Sequence, residues 1–121
     1  MAKILIVEDN EMNMRLFSDL LKSRGYTVLQ CMEGQKALSI VRSEHPDLVL
    51  MDIQMPGISG LEVTALIRQS KDVAKTKIVA VTAFAMKGDE QKIIDGGCDG
   101  YIAKPIAVPE FLATVDKFLS K

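Results

Sequence analysis

The chain alternates short apolar runs with longer amphipathic segments, and this alternation predicts strands and helices in turn. Five apolar runs have the length of strands that are buried in a parallel sheet. They cover Lys3 to Val7, Thr27 to Cys31, Leu48 to Asp52, Ile78 to Val81 and Gly100 to Ala103. A segment with helical periodicity follows each run. The pattern therefore predicts an α/β fold: a doubly wound, five-stranded parallel sheet with strand order 2-1-3-4-5 and helices on both faces.

The amphipathic segments carry start and stop signals that are typical of helices. Asn10 is placed to cap the first helix, Gly25 to end it, and Pro46 to end the second. The fourth helix is expected around residues 87–95, before Gly96 and Gly97. Apolar spacing predicts the faces that turn inward. These are Asn13, Leu16, Phe17, Leu20 and Leu21 in the first helix, Ala37, Leu38 and Val41 in the second, Val63, Leu66 and Ile67 in the third, and Val108, Phe111, Leu112, Val115, Phe118 and Leu119 in the last.

Length, charge and cysteine content limit the class of protein. With 121 residues and 48% hydrophobic content, we expect one globular domain over residues 1–121, with no output domain attached. The net charge of -1 provides no basic surface for a nucleic acid. No apolar run approaches a signal peptide or membrane span, so we expect a cytoplasmic protein without membrane insertion. Cys31 and Cys98 lack metal-ligand spacing and are expected to be small buried residues.

Polar side chains collect where the predicted strands end. Glu8 and Asp9 follow the first strand, and Asp52 ends the third. Thr82 closes the fourth strand, and Lys104 follows the fifth. Ligands of open α/β sheets bind outside these carboxyl ends, at the topological switch point, where Asp9 and Asp52 would face each other. Taken alone, Glu8 and Asp9 fit a strand end with a helix cap as well as they fit a metal site.

The three acids of this group predict a bound cation. Two carboxylates about 5 Å apart repel each other by roughly 3 kcal/mol at an effective dielectric constant of about 20. A third carboxylate increases the repulsion, and a hard divalent cation removes it. Ligands that are all oxygens favour Mg²⁺.

The same group contains the parts of a phosphoryl-transfer site. Asp52 is a candidate nucleophile, because enzyme carboxylates can form aspartyl phosphates. Lys104 offers a positive charge, Thr82 a hydroxyl and Ala83 a backbone N–H to phosphoryl oxygens. Phosphoryl transfer requires chiefly positioning and charge neutralisation. Lys104 alone would be interpreted as a solvated surface lysine, but its place before Pro105 at a strand end favours the site.

In their order and spacing, these residues resemble the receiver domain of bacterial two-component response regulators over essentially the whole chain. The marks are the acid pair Glu8-Asp9, the segment Asp52-Ile53-Gln54-Met55-Pro56 with Gly60, Thr82-Ala83, Tyr101 and Lys104-Pro105. The resemblance implies a (βα)5 fold. It also implies Mg²⁺, or Mn²⁺ in its place, held by Asp9, Asp52 and the backbone carbonyl of Gln54, with Glu8 acting through a bound water.

The resemblance further implies a phosphoacceptor switch rather than a classical enzyme. Asp52 would take a phosphoryl group from a phosphohistidine on a sensor histidine kinase or a histidine phosphotransfer protein, and Thr82 and Lys104 would bind its oxygens. Thr82 and Tyr101 would then move and remodel the surface of the fourth helix, fifth strand and fifth helix. The bond between Lys104 and Pro105 is expected to be cis. The alternative for Tyr101 is an ordinary edge-strand aromatic residue.

Output is expected through contacts with downstream proteins. Phe84 and Met86 are apolar residues in a turn, and with Tyr101 they are candidates for the contact surface. Packing of Phe84 and Met86 into the core is the alternative interpretation.

A narrower resemblance connects the chain to single-domain regulators of cell division and polarity in alphaproteobacteria. It rests on residues 10–14, 82–90, 96–98 and 101–106. It implies sensor histidine kinases or phosphatases as partners, control of cell-cycle progression and, through those partners, a position at the cell pole.

Three other interpretations are weaker. A phosphatase of the haloacid dehalogenase type needs an acid two residues after the nucleophile, where this chain has Gln54. A flavodoxin-like cofactor site needs a phosphate loop after the first strand, where this chain has acids. An adaptor that keeps the receiver fold but works without phosphorylation remains the main alternative. His45 lies beside Pro46 and is not expected to serve as a phosphohistidine.

Overall fold

Five parallel strands and five helices alternate along the chain in the computed structural model, which describes residues 2–83 and 89–120. The strands are β1 (Lys3–Val7), β2 (Thr27–Cys31), β3 (Leu48–Asp52), β4 (Ile78–Thr82) and β5 (Gly100–Ala103). The helices are α1 (Glu11–Ser23), α2 (Gly34–Glu44), α3 (Gly60–Gln69), α4 (Asp89–Asp95) and α5 (Val108–Leu119). The sheet order is β2-β1-β3-β4-β5, which confirms the predicted fold class and strand order.

The alternation of side chains along each strand divides the core into two layers. In β1, Leu5 and Val7 pack on the side of α2 and α3, whereas Ile4 and Ile6 pack on the side of α1 and α5. All five residues of β3 are buried, as is typical of a central parallel strand covered on both faces. Complete burial of such side chains contributes roughly 1.5–3 kcal/mol each.

Helices α1 and α5 are joined both by aromatic packing and by polar contacts. The rings of Phe17 and Phe111 stack with centroids 5.2 Å apart. Asp116 of α5 accepts hydrogen bonds from the Arg24 guanidinium and the Tyr26 hydroxyl, which follow α1. These contacts hold α5 against the α1 layer at two points along its length.

Three residues expected to face inward are exposed, so the predicted helix faces were partly wrong. Leu16, Leu66 and Val108 are 42%, 41% and 39% exposed. In α1 the buried side chains include Ser18 instead of Leu16, and in α3 they include Thr64 instead of Leu66. A buried hydroxyl is tolerated because it finds a partner: Thr64 Oγ1 donates to the Gly60 carbonyl at 2.8 Å, and Ser18 Oγ accepts from Gln30 at 2.9 Å.

Local signals define the ends of several elements. The Asn10 side chain accepts a hydrogen bond from the Asn13 N–H and caps α1, as predicted. Ser59 caps α3 in a reciprocal capping box with Glu62. Beyond α2, His45 takes the left-handed conformation with φ 47° before Pro46.

The cysteines follow the prediction made from their spacing. Cys31 and Cys98 both lie in the described part of the chain, as buried free thiols. Phe84, Met86 and the first residues predicted for the fourth helix lie outside the described residues. Among the helices of the described residues, none is both long and apolar enough to cross a membrane.

Candidate functional site

The carboxyl ends of β1, β3, β4 and β5 bring the predicted polar residues to one edge of the sheet. The sheet hydrogen bonding continues just past the strand ends: the Glu8 N–H donates to the Cys31 carbonyl at 3.0 Å, and the Lys104 N–H donates to the Thr82 carbonyl at 2.8 Å. Asp52 is the last residue of β3, directly between β1 and β4. The backbone hydrogen bonding therefore fixes the Cα positions from which these side chains extend.

The turn that follows β3 is packed tightly against the end of that strand. The Gly60 N–H donates to the Ile53 carbonyl at 3.1 Å. A Cβ at Gly60 would lie 2.2 Å from the Asp52 carbonyl oxygen, so only glycine fits here. Gly60 thereby allows α3 to begin directly beside Asp52.

Three carboxyl groups meet at this edge, as the positions of the strand ends predict. Glu8, Asp9 and Asp52 each have one oxygen within 4.8 Å of those of the other two. Glu8 and Asp52 are 1% and 2% exposed, whereas Asp9 is exposed. The Asn10 N–H donates to Glu8 Oε2 at 3.2 Å, and the Gln54 N–H donates to Asp52 Oδ1 at 3.1 Å. Such a group of oxygens could hold a metal ion.

Lys104 places its ammonium group inside the acid cluster. Its Nζ lies 3.0 Å from Glu8 Oε1 and 3.5 Å from Asp52 Oδ1. The approach to Glu8 lacks hydrogen-bond geometry, and no group of the described residues donates a hydrogen bond to Oε1. A buried acceptor of this kind favours a ligand that supplies positive charge. One ammonium cannot balance three carboxylates.

The pKa of Asp52 reflects this surplus of negative charge. Burial, followed by the interaction with the Glu8 carboxyl group, raises the pKa of Asp52 from 3.8 to about 7. Lys104 and the Gln54 N–H oppose the rise without cancelling it. Without a metal ion, Asp52 is therefore partly protonated near neutral pH.

Thr82 and Ala83 lie next to the acids, and a third residue links them. Gln54 Nε2 donates to Thr82 Oγ1 at 3.2 Å, and the Ala83 N–H donates to Gln54 Oε1 at 3.4 Å. Sequence reasoning included only the backbone carbonyl of Gln54 and missed its side chain. The sequence signal for this contact was a long polar side chain two residues after Asp52, because Thr82 and Ala83 lie at the same edge of the sheet.

Two further expectations concern residues on or beside β5, namely the conformation of the peptide bond before Pro105 and the position of Tyr101. The peptide bond between Lys104 and Pro105 is cis. Tyr101 pairs with Ala80 across the sheet and is partly buried. Interaction with the Glu90 carboxyl group of α4 raises the pKa of Tyr101. This interaction relates Tyr101 to α4 rather than to the acid cluster.

Comparison with known proteins agrees with this geometry. Residues 4–116 match the family model described as response regulator receiver domain. The chain is 51% identical over 116 residues to the polar-differentiation response regulator DivK of Brucella ovis, covering 96% of this chain and 94% of that protein. DivK of Brucella anthropi is 50% identical over the same shares.

Solved structures show the same fold. The chemotaxis protein CheY4 of Vibrio cholerae superposes with a TM-score of 0.92 at 27% identity, covering 98% of this chain and 99% of that one. The receiver domain of the sensor histidine kinase PA1611 from Pseudomonas aeruginosa, solved with a magnesium ion coordinated in its active-site cleft, has a TM-score of 0.88 at 31% identity, covering 97% and 96%. The chain therefore belongs to the response regulator receiver domain family, and it is a response regulator of the DivK type.

Proposed function

We propose that the protein receives a phosphoryl group on Asp52 from the phosphohistidine of a sensor histidine kinase or a histidine phosphotransfer protein. The observation that carries this proposal is the position of Asp52. A buried carboxylate ends the central strand with two further acids within 4.8 Å and the Lys104 ammonium at 3.5 Å. A carboxylate held in this way would act as the nucleophile, while Lys104 and a cation held by the acids would neutralise the charge of the phosphoryl group.

The donor set fits a hard divalent cation, Mg²⁺ or Mn²⁺. Asp9, Asp52 and the backbone carbonyl of Gln54 would hold it, and Glu8 would act through a water. The fit rests on ligands that are all oxygens and on the buried Glu8 Oε1, to which none of the described residues donates a hydrogen bond. When bound, the cation supplies positive charge to the phosphoryl oxygens. The related receiver domain of PA1611 was solved with magnesium in its cleft.

The chemistry of the proposed transfer involves one bond formed and one broken. An Asp52 carboxylate oxygen attacks phosphorus, the P–N bond of the phosphohistidine breaks, and the imidazole leaves with the electron pair of that bond. Lys104 donates from its ammonium group, Thr82 from its hydroxyl and Ala83 from its N–H to the three phosphoryl oxygens. Hydrolysis of the aspartyl phosphate by water at the same site would return the protein to its starting state.

The proposed output is a change in protein contacts. Thr82 would reorient toward the phosphoryl group, and Tyr101 would respond on the adjoining strand, so that the surface of α4, β5 and α5 differs between the two states. The name of the relatives, polar-differentiation response regulator, supports a role in the differentiation of the cell poles. We further propose that the protein acts in cell division, in the cytoplasm at the cell pole, through kinase or phosphatase partners.

The test of the covalent site is incubation with acetyl phosphate and Mg²⁺, followed by intact mass measurement. The wild type should gain one phosphoryl mass, and Asp52→Asn or an excess of chelator should abolish the gain. Asp19→Asn, in an exposed aspartate of α1, serves as a control that should be modified like the wild type. If Asp52→Asn still gains the mass, the nucleophile has been assigned wrongly, and a wild type that gains none supports the phosphorylation-independent adaptor.

Metal binding is tested separately. Asp9→Asn removes one anionic ligand while keeping the side-chain size, so its Mg²⁺ affinity by calorimetry should fall at least about tenfold. An unchanged affinity would show that Asp9 is not a ligand.

A further inference from the structure

The Gln54 side chain contacts the groups proposed to bind the phosphoryl oxygens. Its Nε2 donates to Thr82 Oγ1 at 3.2 Å, and its Oε1 accepts from the Ala83 N–H at 3.4 Å. Its own backbone N–H donates to Asp52 Oδ1 at 3.1 Å. One residue therefore touches the nucleophile through its backbone and two phosphoryl-binding groups through its side chain.

We infer that the Gln54 amide is a placeholder: in the unphosphorylated protein its oxygen occupies the Ala83 N–H while its nitrogen donates to Thr82 Oγ1, and a phosphoryl group must displace it from Ala83. This role rests on the proposed function of Asp52. The Ala83 N–H has a single hydrogen, so a good bond to Gln54 Oε1 excludes an equally good bond to a phosphoryl oxygen. The bond from Nε2 to Thr82 Oγ1 holds the amide beside the Thr82 hydroxyl.

The strengths of the competing bonds decide the direction of the effect. Gln54 Oε1 is a neutral acceptor, whereas a phosphoryl oxygen is charged, and charge-assisted hydrogen bonds are roughly twice as strong as neutral ones. The phosphoryl group therefore displaces the amide, but the cost of breaking the Gln54 bonds offsets part of the free energy of its binding. Gln54 is thus a positioning residue that stabilises the unphosphorylated state.

The side chain and the backbone of Gln54 can be separated experimentally. Gln54→Met keeps the length of the side chain, the backbone carbonyl proposed as a metal ligand and the N–H bond to Asp52, but it removes both amide hydrogen bonds. Gln30→Met is a matched control, because Gln30 also donates one side-chain hydrogen bond, to Ser18 Oγ at 2.9 Å, between β2 and α1.

Two measurements test the placeholder. The first is hydrogen exchange of the Ala83 amide in the metal-free protein, followed by NMR, which should be faster in Gln54→Met than in the wild type. The second is a titration with beryllofluoride, an unreactive mimic of a phosphoryl group on a carboxylate, in saturating Mg²⁺. The dissociation constant of the mimic should fall about three- to tenfold in Gln54→Met, as expected from the loss of one competing hydrogen bond, that of the Ala83 N–H. Mg²⁺ affinity should stay within about twofold of wild type, since the ligand atoms remain, and Gln30→Met should change none of these values.

The outcomes distinguish an error in the role of Gln54 from an error in the proposed function of Asp52. If the mimic binds Gln54→Met as it binds the wild type, or more weakly, the amide does not compete with the phosphoryl group and the placeholder role is wrong. Unchanged exchange of the Ala83 amide in Gln54→Met would overturn it as well, because the hydrogen bond would then be absent in solution. A wild type that does not bind the mimic overturns the proposed function of Asp52 and the role of Gln54 with it.

Discussion

Replacing Asp52 by asparagine should stabilise the metal-free protein against unfolding. Asp52 is 2% exposed and lies close to two other carboxyl groups. Asparagine has nearly the same size and keeps an oxygen that can accept from the Gln54 N–H, while the negative charge is removed. The substitution therefore isolates the cost of burying this charge from the cost of losing packing.

The magnitude follows from the pKa of Asp52. Burial first, and Glu8 second, raise the pKa of Asp52 from 3.8 to about 7. A rise of that size corresponds to about 4 kcal/mol of destabilisation when the carboxyl group is fully ionised. The attraction of Lys104 is already included in this rise of the pKa. Because the asparagine amide must itself be desolvated, we expect a net gain of about 2–3 kcal/mol in the free energy of unfolding.

The pH dependence of this gain has a defined sign. Between pH 3.8 and about 7, the folded protein holds the Asp52 proton more tightly than the unfolded chain does. The free energy of unfolding therefore falls as the pH rises through this window, and the full penalty is present above it. The difference between Asp52→Asn and the wild type should be largest near pH 8 and should shrink toward pH 5.

Urea unfolding followed by far-ultraviolet circular dichroism, in excess chelator, measures the effect. At pH 8 the midpoint of Asp52→Asn should lie roughly 1 M urea or more above that of the wild type. Asp19→Asn, at an exposed position of α1, should leave the midpoint nearly unchanged. Saturating Mg²⁺ should raise the midpoint of the wild type more than that of Asp52→Asn, because ligand binding to the folded state adds stability.

Either of two results would refute the physical account of the site. Asp52→Asn could unfold at a lower urea concentration than the wild type at pH 8 without metal, which would mean that the charge of Asp52 is stabilising. Alternatively, the difference between the two proteins could be the same at pH 5 and pH 8, which would mean that Asp52 titrates normally.

Three further substitutions give separate predictions. Lys104→Met removes the positive charge 3.5 Å from Asp52 Oδ1 and should tighten Mg²⁺ binding by about tenfold in calorimetry; weaker binding would contradict the proposed metal position. Gly60→Ala puts a Cβ 2.2 Å from the Asp52 carbonyl oxygen and should cost more than about 3 kcal/mol in urea unfolding, whereas an unchanged midpoint would contradict the tight turn. Arg68→Met removes donors to the Gly97, Ala74 and Thr76 carbonyls and should cost about 2–4 kcal/mol. The exposed pair of Arg42 with Asp72 is the control for it: Arg42→Met should cost less than about 1 kcal/mol, and equal losses in both variants would show that the Arg68 hydrogen bonds contribute little.

The strands were predictable because burial on both faces leaves a strong pattern. The runs predicted for β1 and β3 have the bounds seen in the structure, and each ends at an acid or just before one. Parallel strands bring their carboxyl ends to one edge, so the meeting of Glu8, Asp9 and Asp52 follows from order along the chain. These inferences need no knowledge of side-chain rotamers.

The errors lie where a polar side chain found a local partner. Thr64 is buried because it donates to the Gly60 carbonyl, and apolar periodicity assigned its neighbour Leu66 to the core instead. Arg68 went unnoticed, although it donates to three carbonyls and pairs with Asp99 at 3.0 Å. Only the contacts of Arg68 with Gly97 and Asp99 join segments that are distant along the chain. Hydrophobic patterning contains no information about any of these polar contacts.

The attachment of α5 to α1 has a mechanical consequence for signalling. Stacked Phe17 and Phe111, together with the contacts of Asp116 with Arg24 and Tyr26, join the two helices at separate points. A displacement of α5 is therefore expected to shift α1 with it, so that a protein bound to one of the two helices would sense the position of the other.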